Sequence, residues 1–95
     1  MKFRPIQTFW KAYADLPADI KEQARVAFRR FQDGVEHPPF HPLLRIRKMQ
    51  GHSDIWEGHV NLQYVFTFHI EYDSETGEPT YIFRNIGTHD IYRRP

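Results

Sequence analysis

Cysteine is missing from the 95 residues, which excludes disulfides and thiolate metal sites and makes a reducing compartment the natural setting. No apolar run approaches the roughly 20 residues that a helix needs to cross a bilayer. The opening MKFRPIQTFW also lacks the continuous apolar stretch of a signal peptide. The expectation is a cytoplasmic chain with no membrane partner. Charge of one sign is equally scarce, since 13 Lys and Arg stand against 12 Asp and Glu for a formal net charge of +1. That argues against a polyanion binder working by counterion release alone, yet permits a basic cleft that positions a few phosphates. Repeats and low-complexity tracts are absent, and the length suits one domain, 1–95, with a two-layer core and no staples.

Aromatics, by contrast, are plentiful: eight Phe, five Tyr and two Trp. So small a core does not easily hide them all, so some are expected to line an exposed groove that an amphipathic partner segment covers. After an extended start at Lys2 to Ile6, Thr8 is expected to cap a helix whose inner face is Phe9, Tyr13 and Leu16. Pro17 punctuates and opens a second helix, with Ile20, Ala24, Ala27, Phe28 and Phe31 on one stripe and Gly34 as its stop. Lys21, Arg25 and Arg29 on its outer side read as a solvated face. HPPFHP, residues 37–42, reads as an extended connector, because three prolines remove donors and restrict their predecessors. A strand LLRIRKM, a turn at Gly51 to Asp54, a long alternating segment, a polar loop at Asp73 to Pro79 and a last strand TYIFRNI complete the chain. The basic residues cluster as Arg45, Arg47 and Lys48, with Arg93 and Arg94 near the last residue.

In WEGHVNLQYVFTFHIE, residues 56–71, the even positions are apolar apart from Gly58 and the odd ones polar apart from Val65. A period of two predicts that the even row is core and the odd row meets solvent or a ligand. Because the parity survives a segment too long for one ordinary strand, a hairpin with an odd loop at Asn61 to Gln63 is expected. That register puts His59 directly across from Val65 on the odd face.

Six histidines suggest a metal site, but His37 and His41 lie in the extended proline-rich stretch and are held too far apart to share one ion. No metal or other cofactor is expected. The chemistry still available is metal-free acid–base work on a phosphodiester. It needs one group to deprotonate a 2′-hydroxyl, one to protonate the leaving oxygen, and cations for the charge between them. His59 and His89 suit the proton roles, Arg47 and Lys48 the phosphate, and Arg84 either adds a phosphate contact or bridges surface acids. His69 reads as an exposed strand residue.

The order of a helical hairpin joined at YADLP, then HPLLRIRKMQG, WEGHVNLQYVFTF and a closing FRNIGTHDIY, resembles the RelE/ParE superfamily of toxin–antitoxin toxins over nearly the whole chain. The resemblance implies an α+β fold, an N-terminal helical hairpin packed on a small twisted antiparallel sheet, RelE-like and of the microbial ribonuclease type. It also implies a toxin of a type II toxin–antitoxin system that binds a cognate antitoxin and cleaves mRNA, on the ribosome, without metal. In the histidine-using, YafQ-like branch an H-P-L, an H-V and a G-T-H recur, and His41, His59 and His89 match them in turn. Carried over residue by residue, His59 and His89 become acid and base with His41 in support. Tyr92 stacks on a base or aids proton transfer, and Arg45, Arg47, Lys48 and Arg84 contact RNA. The chain departs from the pattern at Val65, where most relatives carry an arginine that faces the RNA. The alternative implied by that departure is a non-catalytic toxin-fold binder, either a ParE-like gyrase inhibitor or an inactive toxin that still engages its antitoxin. On a solvated row, Val65→Arg would fold normally and restore a cation.

Overall fold

The computed structural model describes residues 2–95. Strand β1, Lys2–Pro5, leads into helices α1, Gln7–Ala14, and α2, Ala18–Glu36. A 3₁₀ turn at Pro42–Leu44 precedes β2, Arg47–Lys48; then come β3, Trp56–His59, β4, Tyr64–Tyr72, and β5, Pro79–Thr88, and a second 3₁₀ turn at His89–Arg93. The sheet order is β1-β5-β4-β3-β2. β2 to β5 form an antiparallel meander, but β1 joins β5 in parallel, with Lys2 beside Thr80 and Pro5 beside Phe83, so the sheet is mixed rather than wholly antiparallel.

Local chemistry sets the element ends, not always as the residue types suggest. α1 begins at Gln7 with Ile6 in the capping position and no side-chain cap, so Thr8 is not the cap. The reason lies in the strand before it: the Ile6 N–H still donates to the Phe83 carbonyl at 3.0 Å, which fixes where the chain can turn into helix. α2 runs through Gly34 to Glu36 and ends two residues before Pro38, whose ring disfavours helix at His37. Gly34 is therefore a close-approach site, not a stop: a Cβ there would fall 2.5 Å from the Phe40 ring and 2.9 Å from the Phe40 Cα of the returning connector. The expected strand LLRIRKM shrinks to two residues, because Pro42–Leu44 turn tightly and Arg45 takes a left-handed backbone, φ 47°.

The even row of the hairpin and the inner faces of both helices make one core. Phe9, Leu16, Ile20, Ala24, Ala27, Phe31, Leu44, Phe66, Phe68, Phe83 and Ile86 are buried together. Phe31 is its hub: its ring meets Phe68 edge-on at 5.0 Å, Phe83 at 5.3 Å and Tyr81 at 5.4 Å. Phe83 and Ile86 both face this core, although one lies at an odd and one at an even position. Between the pairs Thr67↔Asn85 and Phe68↔Phe83 the register slips by one residue, leaving Arg84 as the extra residue of a bulge. Among the described residues no helix is long and apolar enough to cross a membrane.

Candidate functional site

The hairpin forms in the expected register. His59 lies opposite Val65 and Glu57 opposite Thr67, with Val60 N–H donating to Tyr64 across a loop of residues 61–63. The odd face, however, is not open. Val65 and Thr67 are 0 % exposed and Glu57 3 %, yet none belongs to the helix-covered core. The expectation that Val65 sits on a solvated row is thus corrected, and the cause is the C-terminal segment. After β5 the chain folds back over this face as a strap: Asn85 Nδ2 donates to the Arg94 carbonyl at 3.1 Å and Arg84 Nε to the Pro95 carbonyl at 3.2 Å. Ile91 reaches Gly87, the β5 partner of Val65, so closely that a Cβ on Gly87 would lie 2.9 Å from its Cγ2. Only glycine allows that approach.

The strap carries His89 and Tyr92 to His59. The His59 and His89 rings are 6.2 Å apart and the His89 and Tyr92 rings 5.4 Å apart, nearly perpendicular. Beneath them the buried Glu57 carboxylate accepts from Arg47, its neighbour across the β2–β3 register. Burial works to raise the Glu57 pKa, but Tyr92 and the Arg47 guanidinium outweigh it and hold the carboxyl below its usual range. Burial pushes the Tyr92 hydroxyl well above the ordinary phenol value, and the Glu57 charge adds to the effect. The phenol is a proton donor, never a base, at neutral pH. It lies close to Glu57, and among the described residues the Tyr92 hydroxyl, His59 Nδ1 and Thr67 Oγ1 are buried polar atoms that no well-formed hydrogen bond satisfies. The His59 pKa is lowered chiefly by burial, helped by Arg45, His89 and Arg47, against the pull of Glu57. The arrangement can therefore offer a neutral imidazole, a second imidazole beside it and a phenol donor, next to an arginine whose side chain is 72 % exposed.

The other sequence candidates lie elsewhere. His41 is exposed and caps the first 3₁₀ turn, its Nδ1 accepting from Leu43 N–H at 3.1 Å. Among the described residues no ring contact joins it to the His59–His89 pair. Lys48 lies over the Trp56 ring at 5.5 Å. Arg84 is held by His69 Nδ1 at 2.9 Å and by the strap, and His69 contacts Glu71 at 3.1 Å, so His69 is a structural link, not a free strand residue. Glu57 and Thr67 are site residues that the alternation alone did not single out. The signal for Glu57 was present, because a carboxylate two residues from His59 and opposite Arg47 is a cross-strand ion pair once the register is known.

No family model matches the chain, and no curated protein matches it. Solved structures do. The YoeB/ParE toxin from Agrobacterium tumefaciens superposes with a TM-score of 0.68 at 15% identity, over 94% of this chain and 99% of that one. YafQ from E. coli strain BL21(DE3) gives 0.70 at 11% identity, covering 96% of each chain. The RelB-RelE antitoxin-toxin complex from Methanococcus jannaschii gives 0.61 at 19% identity, over 95% of this chain and 94% of that one. The fold is accordingly that of the RelE/ParE-type toxins of toxin–antitoxin pairs, an α+β fold of two helices on a five-stranded mixed sheet.

Proposed function

We propose that this chain is the toxin of a type II toxin–antitoxin pair and an mRNA endoribonuclease that acts in the cytoplasm, on the ribosome, and so inhibits translation. The single observation that carries the nuclease reading is the meeting of His59, His89 and Tyr92 beside Arg47 and Glu57. Neutral His59 takes the proton from a ribose 2′-hydroxyl, whose oxygen then bonds to phosphorus. The P–O5′ bond breaks, and the His89 imidazolium gives its proton to the departing oxygen, leaving a 2′,3′-cyclic phosphate and a 5′-hydroxyl. The Tyr92 phenol and the Arg47 and Arg45 guanidiniums stabilise the charge that builds on the phosphoryl oxygens. Lys48 on the Trp56 ring, Arg84 beside His69 and His41 on the connector are left for contacts with the RNA away from the cut.

A second reading is favoured by one observation. Val65 is buried, so no cation stands opposite His59, and a toxin fold that binds gyrase or only its antitoxin needs none. Both readings share an antitoxin partner, which is supported by the RelB-RelE and DinJ-YafQ complexes among the structural neighbours. Induction of the chain followed by mapping of mRNA 5′ ends separates them. New ends that vanish in His59→Ala and His89→Ala support the nuclease; growth arrest with intact transcripts supports the binder.

A further inference from the structure

Adjoining the histidine pair is an open pocket of about 380 Å³, lined by Leu62, Gln63, Tyr64, Thr88, His89 and Asp90. It shares His89 with the proposed centre. The hairpin tip that forms one wall is held rigidly: Asn61 Oδ1 accepts from both Gln63 N–H and Tyr64 N–H at 2.8 Å, while Asn61 Nδ2 donates to Gln23 on α2 at 2.8 Å. On that fixed tip Leu62 is 75 % exposed, an apolar side chain held in water beside a histidine. Gln63 and Asp90 stand exposed on two sides, and among the described residues neither side chain has a hydrogen-bond or ion-pair partner.

We propose that this pocket is a nucleobase subsite that takes a guanine flanking the scissile phosphate. The inference rests on the nuclease reading above and deepens it. A carboxylate repels phosphate, so Asp90 suits a base and not the backbone. An ionised carboxylate only accepts hydrogen bonds, and a glutamine can supply a donor. On the Watson–Crick edges, guanine alone offers two adjacent donors, N1–H and the 2-amino group, beside an acceptor, O6. Uracil offers one donor between two acceptors, adenine one donor beside one acceptor, and cytosine one donor beside two acceptors. Asp90 accepts from the two guanine donors, the Gln63 amide donates to O6, and Leu62 covers the face of the ring, as apolar surfaces do when single-stranded bases are splayed out.

The test uses ribosomes programmed with mRNAs that differ only in the nucleotides on the two sides of the mapped cut, and measures relative cleavage rates. The parent is expected to favour guanine at one flank by about tenfold or more, the scale of one good bidentate contact. Asp90→Asn and Gln63→Ala are expected to flatten that preference while leaving the melting temperature unchanged, since both positions are exposed. Leu62→Ala is expected to raise KM without reordering the bases. A parent that cuts all four RNAs alike, or variants that keep the parent's ranking, would overturn the subsite and leave the nuclease standing. A parent that cuts none would remove both.

Discussion

At the scale of single residues, the environment of each histidine decides what it can do. His59 is held below the usual imidazole pKa, first by burial. Its neutral form is therefore available down to below about pH 6.5, and cleavage is expected to rise with pH along a limb whose midpoint lies under that value. A kcat/KM profile in the parent and in His59→Ala checks this; an unchanged acidic limb in the variant would exclude His59 as the base. The sign for stability runs the same way. Because the folded chain resists protonating His59, the contribution is complete above the unfolded value and falls as pH drops through it. His89→Ala, at an exposed position, is expected to cost no more than about 0.5 kcal/mol of stability but to slow cleavage about 10²- to 10⁴-fold. Val65→Arg reverses the expectation raised by alternation alone. A guanidinium under the strap is a buried charge without a partner, and a loss of about 3 kcal/mol or more is expected, read by urea unfolding.

At the scale of elements, alternation and turn chemistry were legible, and covering was not. The parity of residues 56–71 was enough to place the loop at 61–63 and His59 against Val65, because a one-residue slip would have moved Phe66 and Phe68 out of the core. The helical stripe likewise identified Phe31 and Ala27 as buried. Nothing in HDIYR announces that it folds back over β4, since a 3₁₀ turn has no long apolar period to read and its target lies some 25 residues upstream. That is why the odd row looked like a solvated face. The parallel pairing of β1 and the bulge at Arg84 were hidden for the same reason: both are choices between distant segments. Two outcomes test the elements as built. Phe31→Ala, at the point where α2 meets β4 and β5, is expected to cost about 3–5 kcal/mol in denaturant unfolding. Arg47→Ala takes away a counter-charge that keeps Glu57 ionised although buried. A carboxyl with a depressed folded pKa lends stability above its unfolded value and loses it as pH falls through the folded one. The variant's acid-unfolding midpoint is accordingly expected at higher pH than the parent's, with circular dichroism as the measurement.

At the scale of the whole molecule, the two faces of the sheet divide the labour. The odd face carries the histidines under its strap, and the other side holds the helices. Where α1, α2 and β1 meet, a groove of about 450 Å³ is lined by Phe3, Phe9, Trp10, Tyr13 and Phe28, with Arg25 and Arg29 at its edge. Trp10 is 55 % exposed. This is where the surplus of aromatic residues goes, and exposed Trp beside Arg is the composition of an interface hot spot. If the chain is a toxin as proposed, an acidic amphipathic segment of its antitoxin is the expected occupant. Trp10→Ala is expected to weaken the complex with the product of the neighbouring gene by tenfold or more in calorimetry, while mRNA cleavage by the free chain stays at the parental rate. Equal affinity would move the antitoxin to another face.

The parallel edge strand also bears on the order of assembly. Phe3 stacks on Phe83 and Ile6 bonds to it, and among the described residues β1 pairs with no strand but β5, which the β3–β4–β5 meander holds in place. The meander closes through short loops, whereas β1 must bring together the two ends of the described chain, a closure whose entropy is spent before any contact returns it. β1, the first strand of the described residues, is thus the last to dock, and α1, which hangs from it, docks with it. In pulsed hydrogen exchange during refolding, the amides of Phe66 and Phe68 are expected to gain protection before those of β1 and Ile6.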